Sequence, residues 1–219
     1  MMRRVYMDHT AGMPVDPRVL EAMMPYFSQQ YGNPSSLHSW GNEARKAMED
    51  ARAKIVALVG AKRNEEIFFT SGGTESNNLA IKGVAYRNKD RGNHIVTSTI
   101  EHMSVMNSCK SLMKDGFNVT YVPVDKYGVV DVQSLEKAIT DKTILVSVMY
   151  ANGEIGTIQP IKEIGEIVHR KGALLHVDAV AATGQVPISV ENENIDLMSI
   201  SSNDMYGPRG VGALYVKTG

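Results

Sequence analysis

The chain has 219 residues, a mass of 24.0 kDa and a formal net charge of −1 at pH 7, with charged side chains making up 21% and apolar ones 43%. This composition suits a folded domain with a substantial core, and the balanced charge argues against nucleic-acid and anionic-membrane binding. A single cysteine, Cys109, excludes an internal disulfide and a cysteine-rich zinc module, and no apolar run is long enough for a membrane helix, so we expect a cytoplasmic protein without a metal site.

Helical and strand patterns then follow one another along the chain. Asp16-Pro17, a cap followed by a first-turn proline, opens the first helix, and the second runs from Asn42 to Val59 and ends at Gly60. Beyond residue 60 the patterns predict strand 67–70, helix 74–84, strand 94–98, helix 103–114, strand 119–122, helix 132–139, strand 143–148, helix 160–170 and strands 174–177, 197–200 and 212–216.

The predicted strands are near-continuous in hydrophobicity, which is typical of strands buried on both faces. Strand–helix–strand order with short connections predicts right-handed crossovers and a mainly parallel sheet, and hence an α/β fold. After the last strand only Lys217-Thr218-Gly219 remains, with no closing helix. We therefore expect the chain to be the front part of a longer architecture.

A glycine pair joins the first predicted strand to the helix that follows, in Thr70-Ser71-Gly72-Gly73-Thr74. Glycine lets the backbone approach a ligand, and the free N–H groups of a first helical turn attract an anion, so Gly73 and Thr74 form a candidate phosphate cradle. An ordinary tight turn capped by Thr74 is the alternative. The segment is neither a P-loop nor a dinucleotide fingerprint, so ATPase and NAD-dependent functions lose their main support.

Polar side chains also follow four other predicted strands, where ligands of open α/β sheets bind. Asp178 could pair with a cationic ring nitrogen or cap the next helix, and His102 could stack on a ring or satisfy a buried network. Asn152 could bond a ring hydroxyl or shape a turn, and Ser201-Ser202 offer hydroxyls suited to phosphate. Each signal is weak by itself, but their convergence at one sheet edge predicts a site for a phosphorylated heteroaromatic ring.

Six motifs carry a resemblance across essentially the whole chain: residues 31–36 (YGNPSS), 70–80 (TSGGTESNNLA), 100–102 (IEH), 151–160 (ANGEIGTIQP), 176–179 (HVDA) and 206–214 (YGPRGVGAL). On these motifs the sequence resembles the pyridoxal-phosphate cysteine desulfurases of the NifS/IscS type, which have the fold of the aspartate aminotransferase class. The resemblance implies the large domain of that fold, a three-layer, mainly parallel (mixed) seven-stranded sheet with helices on both faces. It also implies that residues 1–15 are an N-terminal strip of the small domain, that residues 16–219 are the large cofactor-binding domain, and that the C-terminal small domain is missing.

The resemblance further implies a pyridoxal phosphate site, noncovalent if occupied at all, whose cofactor-binding residues are Gly73, Thr74, His102, Asn152, Asp178, Ser201, Ser202 and Asn203. The first two and Ser201 would hold the phosphate, while His102 would stack on the pyridine ring and act as the catalytic acid/base. Asn152 would lie by the ring hydroxyl, and Asp178 would keep the ring nitrogen protonated. The implied partners are L-cysteine as substrate, an iron–sulfur scaffold protein, and a second copy in a homodimer whose subunits share each active site.

Three positions depart from the family pattern. Asp204 stands where the family has the lysine that forms the Schiff base, Asn203 where it has a phosphate-binding histidine, and Ala181 where a glutamine contacts the ring hydroxyl. A carboxylate cannot form that bond, and its charge near an anionic cofactor is unfavourable unless it is protonated or paired. The family's sulfur-accepting cysteine lies further along than residue 219, and Cys109, on an apolar helical face, is expected to be a buried structural thiol.

We therefore expect a cysteine desulfurase-like protein of iron–sulfur cluster biogenesis. The family reaction converts cysteine to alanine and passes the sulfur on as a persulfide, and we expect weak or no activity from this chain. The alternative is a non-catalytic scaffold or partner-binding module that retains the fold. A selenocysteine lyase or an aminotransferase is a third, weaker alternative.

Overall fold

A single mixed sheet organises residues 4–218, the part of the chain that the computed structural model describes. Its strands are β1 (Ile67–Thr70), β2 (His94–Ser98), β3 (Asn118–Val122), β4 (Thr143–Met149), β5 (Leu174–Asp178), β6 (Leu197–Ser201) and β7 (Gly212–Val216). Their order across the sheet is β1-β7-β6-β5-β4-β2-β3, and β7 runs antiparallel to both of its neighbours while the other pairs are parallel. The predicted α/β class and the mainly parallel, mixed sheet are confirmed.

Helices cover both faces of this sheet. Those within the described residues are α1 (Pro17–Ser28), α2 (Ser39–Val59), α3 (Gly73–Arg87), α4 (Met103–Lys114), α5 (Val132–Ala138) and α6 (Ile161–Arg170). Helices α3 and α4 pack on one face, and α5, α6 and the C-terminal end of α2 pack on the other, which gives the expected three layers. Among these helices, none combines the length and the apolar character that a bilayer crossing requires.

Two-sided packing explains why the strands lack an alternating pattern. In β2, Ile95 joins the core under α3 and α4, and its neighbour Val96 joins the core under α5 and α6. In β4, Leu145 and Val146 divide in the same way, and every residue of that strand is buried. Full burial of each such side chain contributes about 1.5–3 kcal/mol, so both faces select apolar residues.

The start of α2 differs from the sequence-based prediction. The helix begins at Ser39, three residues before Asn42, because the Nδ1 atom of His38 accepts a hydrogen bond of 3.3 Å from the N–H of Gly41 and caps the first turn. The backbone of Gly41 lies so close to the carbonyl of Ser36 that a Cβ atom would collide with it. This glycine therefore serves close packing at the start of the helix.

Residues 4–16, which precede α1, have no regular secondary structure and lie along the loop between β6 and β7. The N–H of Asp16 donates to the carbonyl of Tyr206 at 2.9 Å, and Arg209 donates to the carbonyl of Ala11 at 3.3 Å. These two bonds hold residues 9–13 close to the C-terminal ends of the parallel strands. The division into a strip (1–15) and a large domain (16–219) remains a prediction, and residues 1–3 and 219 lie outside the described part.

Candidate functional site

One cavity of ≈ 680 Å³ opens where β5 and β6 end and α3 begins. Seven of the eight predicted cofactor-binding residues line it, namely Gly73, Thr74, His102, Asn152, Asp178, Ser201 and Asn203. The parallel strands bring these residues together, because their carboxyl ends meet at the same edge of the sheet. Of the predicted set, only Ser202 is absent from the lining.

The glycine turn places the amino end of α3 at this cavity. Gly72 has a φ of 146°, which strongly favours glycine, and a Cβ on Gly73 would lie 2.5 Å from Cγ2 of Val180. Within the described residues, the N–H groups of Gly73, Thr74 and Glu75 have no hydrogen-bond acceptor. Free N–H groups and the positive end of the helix dipole favour an anion at this position.

A buried chain of hydrogen bonds connects Asp178 with His102. Asn77 donates from Nδ2 to Oδ2 of Asp178 at 2.7 Å and to Oγ of Ser104 at 2.8 Å. The Oγ of Ser104 in turn lies 2.8 Å from Nδ1 of His102, which also accepts the N–H of Ser104 at 3.2 Å. With Nδ1 as an acceptor, the neutral imidazole carries its proton on Nε2. Burial raises the pKa of Asp178, and the hydrogen bond from Asn77 opposes that rise.

Asn77 lies within the motif at residues 70–80, and the sequence pattern predicts no role for it. Its spacing from Gly73 and Ala80 could have indicated that it faces the same side of the helix as they do, because residues three and four apart share a helix face. The side chains of Ala80, Ile81 and Val84 are buried on this face. A polar residue in such an apolar stripe needs a hydrogen-bonding partner, and here the partners come from β5 and α4.

Asn152 forms the turn after β4. Its Oδ1 accepts the N–H groups of Glu154 at 2.9 Å and Ile155 at 3.2 Å, and its Nδ2 donates to the carbonyl of Ile100 at 3.3 Å. Turn formation, one of the two roles left open by the sequence, is therefore what this side chain does within the protein. The residue also lines the cavity, and its contact with a ring hydroxyl remains a prediction.

The hydroxyls of Ser201, the last residue of β6, and of Ser202, which follows it, point in different directions. Ser201 donates to Oδ1 of Asn203, and both residues line the cavity. The Oγ of Ser202 lies instead within hydrogen-bonding distance of the carbonyls of Pro208 and Val211, at 2.9 Å from the latter. Ser202 therefore stabilises the loop between β6 and β7. It does not line the cavity, so the structure does not place its hydroxyl where the predicted phosphate contact requires it.

Three further acids line the cavity, namely Asp204, Glu101 and the exposed Glu154. Asp204 is half-buried, and its Oδ2 accepts a 3.0 Å hydrogen bond from Asn203; burial and then the charge of Asp178 raise its pKa. Glu101 is buried and accepts from the Oγ of Ser98 at 2.5 Å and from the N–H of Met149 at 3.0 Å, while burial raises its pKa to about 8. Within residues 4–218, no lysine or arginine lines this cavity.

Cys109 lies outside the cavity and is fully buried in α4, as predicted for a structural thiol. Burial raises the pKa of this thiol to about 12, and the nearby carboxyl of Glu101 adds to the rise. The thiolate is the reactive form of cysteine, so this residue is poorly suited to nucleophilic chemistry near pH 7.

Known proteins resemble this chain over its full length. "Cysteine desulfurase IscS" from Clostridium botulinum (strain Hall) is 53% identical over 219 residues, which is 100% of this chain and 55% of the relative. "Cysteine desulfurase IscS 1" from Archaeoglobus fulgidus is 55% identical over 214 residues, 98% of this chain and 56% of the relative. The chain thus spans about half the length of the curated relatives it matches.

Solved structures agree with these sequence relatives. A "NIFS-LIKE PROTEIN" superposes with a TM-score of 0.95 at 45% identity, covering 99% of this chain and 60% of that one. "SspA in complex with cysteine" superposes with a TM-score of 0.93 at 41% identity, covering 96% of this chain and 60% of that one. The family model described as "Aminotransferase class-V" matches residues 5–219. The chain therefore belongs to the aminotransferase class V family.

Proposed function

We propose that this chain binds pyridoxal phosphate noncovalently in the cavity, as a cysteine desulfurase-type protein whose own turnover is weak or absent. The observation that carries the proposal is the meeting of the α3 amino end, Asp178, His102 and Asp204 around one cavity. The first three suit the cofactor, and the fourth is unable to anchor it covalently.

The donor set fits the phosphate and the ring of the cofactor. The free N–H groups at the start of α3, with the hydroxyls of Thr74 and Ser201, are ligands that a phosphate dianion accepts well. Asp178 offers a buried carboxylate suited to a protonated ring nitrogen. The aldehyde end has no amine among the described cavity-lining residues, so this end fits noncovalent binding only.

The roles of the protein groups follow from this fit. Thr74, Ser201 and Asn203 hold the phosphate, His102 stacks on the ring and moves protons through Nε2, and Asp178 keeps the ring nitrogen charged. When bound, the cofactor supplies an electron sink for carbanion chemistry. Asn77 and Ser104 fix the orientation of the acid and the imidazole by the hydrogen bonds given above.

Cofactor titration tests the proposal directly. Saturable changes in pyridoxal phosphate absorbance or fluorescence on adding the chain are expected, and borohydride reduction followed by intact mass measurement should leave the protein mass unchanged. The Asp204→Lys variant should gain the mass of one pyridoxyl phosphate group under the same treatment. No saturable binding to the folded wild-type chain, shown folded by circular dichroism, contradicts the proposal.

The reaction is part of the proposal as well. L-cysteine is the proposed substrate class, alanine and a protein persulfide are the family products, and an iron–sulfur scaffold is the proposed receiver of the sulfur. Asp204 supports weak turnover, because a carboxylate cannot exchange the cofactor between lysine and substrate. Robust alanine formation from cysteine by the purified chain with added pyridoxal phosphate contradicts the loss of activity.

A non-catalytic binding module is the second candidate, and exposed apolar side chains favour it. Large apolar residues stand in solvent in and around α1 and the segments that flank it, including Met7 (88% exposed), Phe27 (71%) and Leu37 (90%). Exposed large apolar side chains mark protein interfaces where they form a patch. We propose a homodimer through this surface, in the cytoplasm, and sedimentation velocity that gives only monomer at micromolar concentration contradicts it.

A further inference from the structure

The cavity is lined by acidic side chains, whereas the aldehyde form of the cofactor carries an anionic phosphate and an aldehyde oxygen that only accepts hydrogen bonds. Four acids line it, namely Asp178, Asp204, Glu101 and Glu154, and no lysine or arginine does so within residues 4–218. Burial raises the pKa of Glu101 to about 8, so its carboxyl is mainly neutral at pH 7. Asp178 and Asp204 then remain as neighbouring acids with restricted access to solvent, both close to His102, while Glu154 is exposed.

Asp204 lacks a cationic partner of its own. Its Oδ2 accepts one hydrogen bond, from the neutral amide of Asn203. No salt bridge within the described residues includes it. A half-buried carboxylate beside a second carboxylate is costly, and a bound cation relieves that cost by direct pairing.

Two other lining residues carry unsatisfied oxygen atoms. Oδ1 of Asn77 and Oε2 of Glu101 are buried without a partner, in side chains that are 1% and 7% exposed. An amide oxygen accepts hydrogen bonds and cannot donate them. Oε1 of Glu101 accepts from Ser98 and Met149, so the proton of the neutral acid lies on Oε2, and this residue needs no further donor. The acceptor that remains for a ligand's N–H donors and positive charge is the carboxylate of Asp204 in the cavity lining.

We propose that the cavity selects the amine form of the phosphorylated vitamin B6 ring, pyridoxamine 5′-phosphate, over the aldehyde form, with Asp204 accepting its primary ammonium group. This rests on the proposed function, because it takes the phosphate and ring contacts as given. The ammonium donates to the carboxylate in a charge-assisted hydrogen bond. The aldehyde oxygen is an acceptor only and meets the same carboxylate without a hydrogen bond.

Three ligands separate the ring site from the amine site. Pyridoxamine 5′-phosphate, pyridoxal 5′-phosphate and 4′-deoxypyridoxine 5′-phosphate, which has a methyl group in place of the aminomethyl group, are titrated into the chain by calorimetry. The amine is expected to bind about tenfold more tightly than the aldehyde or the methyl compound, a difference of about 1.4 kcal/mol. In Asp204→Asn, which keeps the side-chain shape, the three should bind nearly equally, whereas Glu163→Gln on the exposed side of α6 should keep the tenfold ratio.

Each outcome has a defined meaning. If the aldehyde and the methyl compound bind and the amine binds no better than either, the amine preference is wrong and the proposed function survives. If none of the three binds to the folded wild-type chain, the proposed function fails together with the preference. The wild-type ratio decides the question even if Asp204→Asn does not fold, and Asp204→Glu, which keeps the charge, should retain a preference for the amine.

Discussion

The amide of Asn77 donates a 2.7 Å hydrogen bond to the carboxylate of Asp178, although the two residues are 101 positions apart. The same Nδ2 atom donates to Ser104, so one side chain ties α3 to β5 and to α4. Asn77 and Asp178 are both buried, with 1% and 5% of their surface exposed. Since an amide can satisfy the carboxylate without adding charge, the acid at the cavity keeps both its place and its capacity to pair with a cationic ligand.

Removal of this donor should destabilise the fold. Asn77→Ala leaves the buried Asp178 carboxyl without its side-chain partner, and we expect a loss of about 1–3 kcal/mol in the free energy of unfolding. Urea denaturation followed by circular dichroism measures it. Asn78→Ala is the matched control, because Asn78 is only half-buried and its side chain donates to the carbonyl of Thr74, in its own helix, at 2.9 Å, so the variant should cost much less. Equal losses in the two variants would show that the buried pairing contributes nothing special.

Glu101 should make stability depend on pH. Its pKa is about 8 in the folded chain against an ordinary value of 4.5, so the folded state holds the extra proton between those values. Stability from this group is fully present below pH 4.5 and is lost as pH rises towards 8, with a slope of up to about 1.4 kcal/mol per pH unit. Glu101→Gln mimics the neutral acid and should lack this component.

The measurement is urea denaturation at pH 5, 6, 7 and 8. The stability of Glu101→Gln relative to the wild type should increase with pH across that series. Subtraction of the two curves cancels the buried His176, which has its own pH dependence because burial lowers its pKa to about 3. Glu163→Gln, at an exposed position of α6, should give a flat difference. A flat difference for Glu101→Gln would mean that this acid is already ionised in the fold.

Two glycines of α3 should respond oppositely to alanine. At Gly73 the new Cβ lies 2.5 Å from Val180, so Gly73→Ala should cost about 1–3 kcal/mol and weaken phosphate binding at the helix start. At the exposed Gly83 nothing lies within 4 Å, so Gly83→Ala should add about 0.5–1 kcal/mol through helix propensity. Thermal melts and cofactor titration measure both effects, and destabilisation by Gly83→Ala would contradict the packing described.

Cys109 should be unreactive until the chain unfolds. Burial raises the pKa of its thiol to about 12, so little thiolate exists at pH 8. A thiol reagent such as DTNB should modify the native chain slowly and the urea-unfolded chain at the rate of a free thiol. Fast modification of the native chain would place the cysteine at an accessible position and reopen a chemical role for it.

The sheet could be predicted from sequence because its signals are local. Ile95 and Val96 are both buried within a short β-branched run, and neither needs a distant residue to be recognised. The edge that collects Thr74, Asp178 and Ser201 follows from the parallel strand order alone. These parts of the fold and of the cavity were therefore within reach of pattern and spacing.

Other features depend on contacts between distant segments. The cap of α2 by His38 was missed because histidine is not a preferred capping residue. The Oγ of Ser202 faces Pro208 and Val211, and the course of that loop decides its direction. Asn77 shows its role only when Ser104 and Asp178 are in place. Sequence can place such side chains on a face, but it does not name their partners.

The position of β7 in the sheet limits the order in which the strands can assemble during folding. This strand, residues 212–216, stands between β1 and β6, so among residues 4–218 β1 (67–70) pairs with no strand other than β7. Pairing across so long a stretch of sequence is slow to form. During synthesis, we expect the parallel strands to assemble first, and β1 to remain unpaired until residues 212–216 have left the ribosome. The turn at Gly72 packs against Gly212 so closely that a Cβ on Gly212 would lie 2.6 Å from Cα of Gly72. This turn is then among the last parts of the cavity to become fixed.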